Sequence, residues 1–277
     1  MLNWIIPASD ELNMFIECYW FIEKTVISDR DSFPKLNPDP SAHLILSPAL
    51  DKYSYTHEQQ VYSGMGSHLL NPHQHTFELD HSKPFTHIGI KFRPGALYSF
   101  SRLTSAITSI NVVEPLELTK LITIDQALIS HLFELARKQP IHCIKKLEHY
   151  LQAWIKDVRD DQHSQLVRRV FTELETTPIS ELAGKLHCSQ RTIERSFRRV
   201  THLTLKQYQA MAKLEAMLEH LYQRKSSGIN WADLAVQFGF SDQPHLIRYL
   251  KKQIGLTPQK YALKRGLTID IYGGVKT

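Results

Sequence analysis

The chain reads as a two-domain α+β protein: a β-rich N-terminal domain closed by helices, then an all-α domain of two helix-turn-helix units joined by a long helix. Three observations predict this. First, the 277 residues are 42% hydrophobic and 22% charged, with 11 Gly and 13 Pro, a composition that folds throughout and suffices for two domains of ordinary size. Second, the charge is divided. Residues 1–157 hold 14 Lys and Arg against 17 Asp and Glu, a balance of −3, whereas residues 158–277 hold 19 against 11, a balance of +8. A basic segment behind an acidic one suits a polyanion-binding module attached to something else. Third, a helical pattern occurs twice in the second segment.

Residues 1 to about 120 alternate short apolar runs (Cys18 to Ile22, His43 to Leu46, Val61-Tyr62, His87 to Phe92) with Pro, Asp, Asn and Ser clusters, the pattern of a small barrel or sandwich. Two helices are expected next, Asp125 to Gln139 and Ile141 to Lys156. Leu128, Leu132 and Leu135 recur at helical spacing in the first, and Ile144, Leu147, Leu151, Trp154 and Ile155 in the second. Their apolar faces suit packing against the strands of their own domain or a dimer seam. The polar stretch 158–164 is the expected linker.

The all-α domain is expected over 165–267. Ile179, Leu182, Ala183 and Leu186 form the stripe of a short amphipathic helix, and Trp231, Leu234, Ala235 and Phe238 repeat it at an offset of 52. After a tight turn, Ile193, Arg195, Phe197, Leu203, Thr204 and Tyr208 recur as Leu246, Arg248, Leu250, Leu256, Thr257 and Tyr261 at an offset of 53. The one-residue change falls in the turn, where insertion is tolerated. Ser189 and Asp242 (or Ser241) suit the N-caps of the second helices, since a short side-chain oxygen accepts from the free N–H groups of the first turn. Between the units, Leu205 to Tyr222 lacks Gly and Pro and predicts a helix of roughly 18 residues, about 27 Å long. Such a rod holds two recognition helices near the roughly 34 Å repeat of the major groove.

The second helix of each unit is two-faced. Ile193, Phe197 and Val200 oppose Arg191, Glu194, Arg195 and Arg198; Leu246 and Leu250 oppose Gln243, Pro244, His245 and Arg248. Arg pairs with guanine O6 and N7, Gln and His with base donors and acceptors, and Glu accepts from cytosine N4; Pro offers only apolar contact. Arg198, Arg199, Lys251 and Lys252 near the helix ends, with Ser189 and Ser241 at the helix starts, are the expected phosphate contacts.

With Ala235, Gly239, Phe240, Asp242, Gln243, His245, Arg248 and Lys251, the closing run Gly255 to Tyr261 resembles the C-terminal signature of the AraC/XylS transcription regulators. The resemblance implies a seven-helix DNA-binding domain. By position it places base reading on Arg191, Glu194, Arg195, Gln243, Pro244, His245 and Arg248. His202 departs from the pattern, standing where the first unit often has Gly. Trp4 to Pro7, Glu17 to Trp20 and Gly89 to Gly95 resemble the cupin-like N-terminal domain of one branch of these regulators, which senses a small molecule, dimerises, or both. The resemblance thus implies a transcription regulator, an activator rather than a repressor. Its implied partners are double-stranded promoter DNA, RNA polymerase, a small-molecule effector and a second copy of the chain.

Neither a catalytic triad, a P-loop nor a dinucleotide fingerprint occurs, and no enzyme activity or cofactor is expected. Seven of the 15 His fall between His43 and His87, and His73, His75 and Glu78 are the residues from which a metal-dependent cupin enzyme would draw ligands. His73 and His75 follow Asn71-Pro72 and are expected in a surface turn, so no metal is assigned. Cys18, Cys143 and Cys188 are too scattered for a disulfide framework. No signal peptide or membrane span is read, and the cytoplasm is the expected location. The remaining rival is a DNA-binding dimer that takes no ligand.

Overall fold

A computed structural model describes residues 2–26, 32–100, 110–118, 124–155, 158–223, 230–255 and 257. Within the closing motif, Leu256 and residues 258–261 lie outside the described residues. Among the described residues ten strands form two antiparallel sheets. They are β1 (Leu2–Pro7), β2 (Ile16–Lys24), β3 (Lys35–Leu36), β4 (His43–Leu46), β5 (Lys52–His57), β6 (Gln60–Met65), β7 (His68–Leu70), β8 (Phe77–Leu79), β9 (Phe85–Phe92) and β10 (Val113–Pro115). The larger sheet runs β1-β2-β9-β4-β7-β10 and the smaller β3-β8-β5-β6.

The central strands of the larger sheet, β2, β9, β4 and β7, are buried on both faces, which explains why they read as apolar runs rather than alternating ones. Along β2, Tyr19 and Phe21 join Leu44, Ile88, Ile90 and Phe92 in a core covered by helices. Trp20 and Ile22 point the other way and join Ile45, Tyr53, Tyr55, Leu70 and Phe77 between the sheets. The covering helices are α1 (Gln126–Lys138) and α2 (Pro140–Ile155), within two residues of the spans expected. Asp125 caps α1 by accepting from Leu128 N at 2.8 Å. Leu132, Phe133, Ile144, Leu147 and Leu151 are buried against the sheet, so both helices pack on their own strands.

The helical region follows as α3 (Gln162–Leu174), α4 (Leu182–Leu186), α5 (Gln190–Thr201), α6 (Leu205–Gln223), α7 (Trp231–Gln237) and α8 (Gln243–Ile254). Asp161 caps α3, and a 3₁₀ turn at Ile179–Glu181 leads into α4. Leu182, Leu186, Ile193, Phe197 and Val200 form one small core with α3, while Leu234, Ala235, Leu246, Leu250 and Ile254 form another against Leu214, Met217 and Leu221 of α6. Each unit therefore has its own core, and the long helix contributes to both.

Candidate nucleic-acid interface

The two helix-turn-helix units agree in backbone conformation at two matched positions as well as in their sequence pattern. The turn of the first passes through His187 at φ 53° and that of the second through Gly239 at φ 64°. The recognition helices α5 and α8 end at His202, φ 60°, and Gly255, φ 69°. All four positions are left-handed, a conformation that glycine adopts without steric cost and other residues rarely enter. The departure at His202 is thus a histidine in a glycine conformation, and His187 is a second one.

Each recognition helix starts on a side-chain cap. Ser189 Oγ accepts from Thr192 N at 3.1 Å, and Asp242 Oδ1 accepts from His245 N at 2.6 Å, so of the two residues offered for the second cap it is Asp242 that serves. Pro244 lies in the first turn of α8, where a missing N–H costs nothing. Tyr249 Oη donates to Ala210 O at 3.0 Å and pins α8 to α6, while Lys213 Nζ sits 3.9 Å over the Phe240 ring.

The apolar stripe of each helix is buried and the opposite face is presented. Arg191 and Arg195 on α5 are exposed, as are Gln243, Pro244, His245 and Arg248 on α8. Glu194 is half-buried and accepts from Gln190 Nε2 at 3.3 Å. Ser241 Oγ lies 3.2 Å from His245 Nδ1, which orients that ring. Ser189, Ser241, Arg198, Lys251 and Lys252 are exposed at the helix ends. Arg199 is exposed too, but its Nε donates to Tyr98 Oη at 3.1 Å, and Tyr98 in turn donates to Asp161 Oδ2 at 2.7 Å. Although burial works the other way, N–H donation from Ser164 and His163 and the Tyr98 hydroxyl hold the Asp161 carboxyl down to about 2. Sequence reading missed Tyr98, because a lone tyrosine a hundred residues away carries no pattern.

The histidines of the β-rich region are mostly interior. His73 is fully buried, contrary to the surface turn expected of it: its Nε2 lies 2.8 Å from Asn37 O, and Asp39 and His73 pair their backbones. A proline-led turn is buried here because Asn111 and Val112, just before β10, and Asp39 in the β3–β4 connection pair with its backbone. Burial pushes His68, His73 and His81 down to about 4 and His87 well below the ordinary range. His43 satisfies both nitrogens within the chain, accepting from Trp20 Nε1 at 3.3 Å and donating to Asp39 Oδ2 at 3.1 Å. Only His75 of the expected ligand set's two histidines is exposed, its ring stacked on His57 with centroids 4.3 Å apart. Among the described residues no three His, Cys, Asp or Glu come together as metal ligands, and no helix is long and apolar enough to cross a membrane. A cavity of about 300 Å³ between the strands is lined by Tyr53, Tyr55, His81 and His87.

Comparison with known proteins places residues 182–264 in a helix-turn-helix domain family and residues 5–111 in a family described as a domain of unknown function, DUF6597. A sequence comparison with curated proteins found no match. Among solved structures, ToxT from Vibrio cholerae is similar with a TM-score of 0.49 at 10% identity, over 90% of this chain and 98% of that one. ToxT from the same organism with an unsaturated fatty acid bound gives 0.44 at 9% identity, over 90% and 94%. The AraC-like transcriptional activator CuxR gives 0.28 at 10% identity, over 72% and 73%. With two capped recognition helices on a duplicated scaffold inside the matched segment, the chain carries, behind an N-terminal β-rich domain, the AraC-type helix-turn-helix domain of a DNA-binding transcription regulator.

Proposed function

We propose that the chain binds specific double-stranded DNA through a domain spanning 165–267, under control of a regulatory domain spanning 1–157 and joined to it by 158–164. Arg191, Glu194 and Arg195 read bases in one half-site and Gln243, Pro244, His245 and Arg248 in the other. Ser189, Arg198, Arg199, Ser241, Lys251 and Lys252 hold the flanking phosphates. The observation that carries this reading is the exposure of all the base-reading side chains except Glu194 on two helices whose apolar faces are buried. The +8 balance of residues 158–277 supplies the sequence-independent part of the affinity.

A small-molecule effector in the N-terminal domain changes how the two units are presented, and so whether they engage the promoter and RNA polymerase as an activator. The chain works in the cytoplasm as a homodimer. Selection of bound duplexes from a random pool tests the DNA reading. The expected product is, for each chain bound, two short motifs about one helical turn apart. Recovery of unrelated sequences, with binding that depends on salt alone, would sink it.

A further inference from the structure

The segment Lys91 to Ser99 leaves β9 and runs under the helical region. Gly95, at φ 79°, brings the backbone so close to α5 that a Cβ there would lie 2.8 Å from Val200 Cγ1. Tyr98 takes the Arg199 guanidinium, as described above. At the other unit, Thr76 Oγ1 donates to Gln253 O at 2.5 Å, and a Cβ at Gly255 would lie 3.1 Å from Lys35 Nζ. Both recognition helices are therefore held at their C-terminal ends, and Lys252 lines the same cleft of about 550 Å³ as Lys35 and Thr76. DNA phosphates gripped by Arg199 and Lys252 would meet the β-rich domain.

Between these two contacts lies a charge cluster that bridges the domains. Lys91 Nζ is 3.3 Å from Glu17, 3.8 Å from Asp39 and 3.6 Å from Glu215, which projects from the middle of α6. Lys91 is only 2% exposed, and Glu215 is half-buried beside it. Three carboxylates thus share one buried ammonium. Around Glu215 the titratable groups are Lys91 from β9, Glu17 from β2, Asp39 from the β3–β4 connection with His43 and His73 beyond it, and Tyr208 two turns earlier on α6.

We propose that Glu215 on Lys91 is a proton-linked latch: it docks the helical domain on the β-rich domain, withholds both recognition helices from DNA, and loosens as Glu215 ionises. The proposal rests on the DNA-binding reading above for its consequence, but not for the latch itself. Glu17 and Asp39 already outnumber the one ammonium they share, so a third charge beside it is disfavoured and docking favours the protonated form. Burial first, then Asp39 and Glu17, push the Glu215 carboxyl up to about 7 against the pull of Lys91. Undocked, on a solvated helix, it returns to the ordinary carboxylate range. A group raised in the docked state contributes docking that is fully present below its undocked value and lost as pH rises through about 7.

The test uses the full chain with dyes at Met65→Cys and Val236→Cys, both exposed and one on each domain, in a Cys188→Ser background. Energy transfer is read without DNA from pH 6 to 8. The docking equilibrium constant of the parent should fall about tenfold in all over this range, most of it below pH 7. Glu215→Gln, which keeps an acceptor for Lys91 but cannot ionise, should stay docked throughout. A parent population that ignores pH, or a Glu215→Gln population that falls in parallel with it, overturns the latch. Affinity for a selected duplex should rise with pH in the parent relative to Glu215→Gln; affinity that instead follows the docked population overturns its inhibitory sense. If docking switches as expected but no sequence is bound specifically at any pH, it is the DNA-binding reading that fails.

Discussion

Gly89 lies beneath the indole of Trp20, so close that a Cβ at position 89 would sit 1.8 Å from Trp20 Cε2. The pair stands at the register point Trp20↔Gly89 in the middle of the larger sheet, and the indole N–H continues to His43 and Asp39. Gly89→Ala must displace the ring and break that buried chain. It should destabilise the β-rich domain by about 3 kcal/mol, the upper range for overpacking. Chemical denaturation followed by tryptophan fluorescence measures it; a loss below about 1 kcal/mol would show that the ring has room to move.

His187 and His202 occupy left-handed positions that the second unit gives to Gly239 and Gly255. A side chain there carries a steric cost of about 1–2 kcal/mol, part of which the greater flexibility of unfolded glycine offsets. His202→Gly should therefore raise the midpoint of thermal unfolding of the helical region, with a net gain of about 0.5–1 kcal/mol. His187→Gly should do the same. A lowered midpoint in both would show that the imidazoles make contacts worth more than the strain.

Arg195 and Arg248 hold equivalent exposed positions on α5 and α8. Replacing either by Ala should weaken binding to a selected duplex by about 1–3 kcal/mol and relax preference at one base pair. Lys252→Ala should instead weaken all duplexes alike and lower the salt slope by about one ion. An unchanged footprint for Arg195→Ala would remove α5 from the groove.

Tyr98→Phe deletes the hydroxyl that engages Arg199 and Asp161. One hydrogen bond of this kind contributes about 0.5–1.5 kcal/mol. Release of Arg199 should raise affinity for any duplex by about two- to tenfold and steepen its salt dependence. Anisotropy titrations at several salt concentrations distinguish this from a loss of affinity, which would mean that Tyr98 orders α5 for binding.

Acid should unfold the β-rich domain first. His68, His73 and His81 are held uncharged to about pH 4, below their unfolded value near 6.5. The unfolded chain binds more protons below 6.5, so stability is present above that pH and lost as pH falls towards 4. Denaturation between pH 7 and 5 should show more than one proton taken up on unfolding, and His68→Asn should reduce that number. A stability that is flat over this range would contradict the burial of these rings.

Much of this molecule was legible in one dimension because its signals are periodic. The helices α1, α2, α5 and α6 bury stripes that repeat at helical spacing, and the duplication is visible as two constant offsets even where His187 stands for Gly239. The candidate interface was legible for the same reason, since a helix that buries Ile193 and Phe197 must present Arg191 and Arg195. The histidines were not legible. Whether His73 lies at the surface depends on which strands cover its turn, and nothing local to Asn71-Pro72 states it.

The sequence by itself determined the fold class, the duplicated units and the residues each recognition helix presents, because all three follow from side-chain periodicity along a single element. Only the tertiary structure decided that Arg199 meets Tyr98, that Lys91 gathers Glu17, Asp39 and Glu215, and that both recognition helices are held at their C-terminal ends. Those pairs are separated by 52 to 177 residues, and a charge or hydroxyl finds its partner through the packing of whole domains rather than through the spacing of its neighbours.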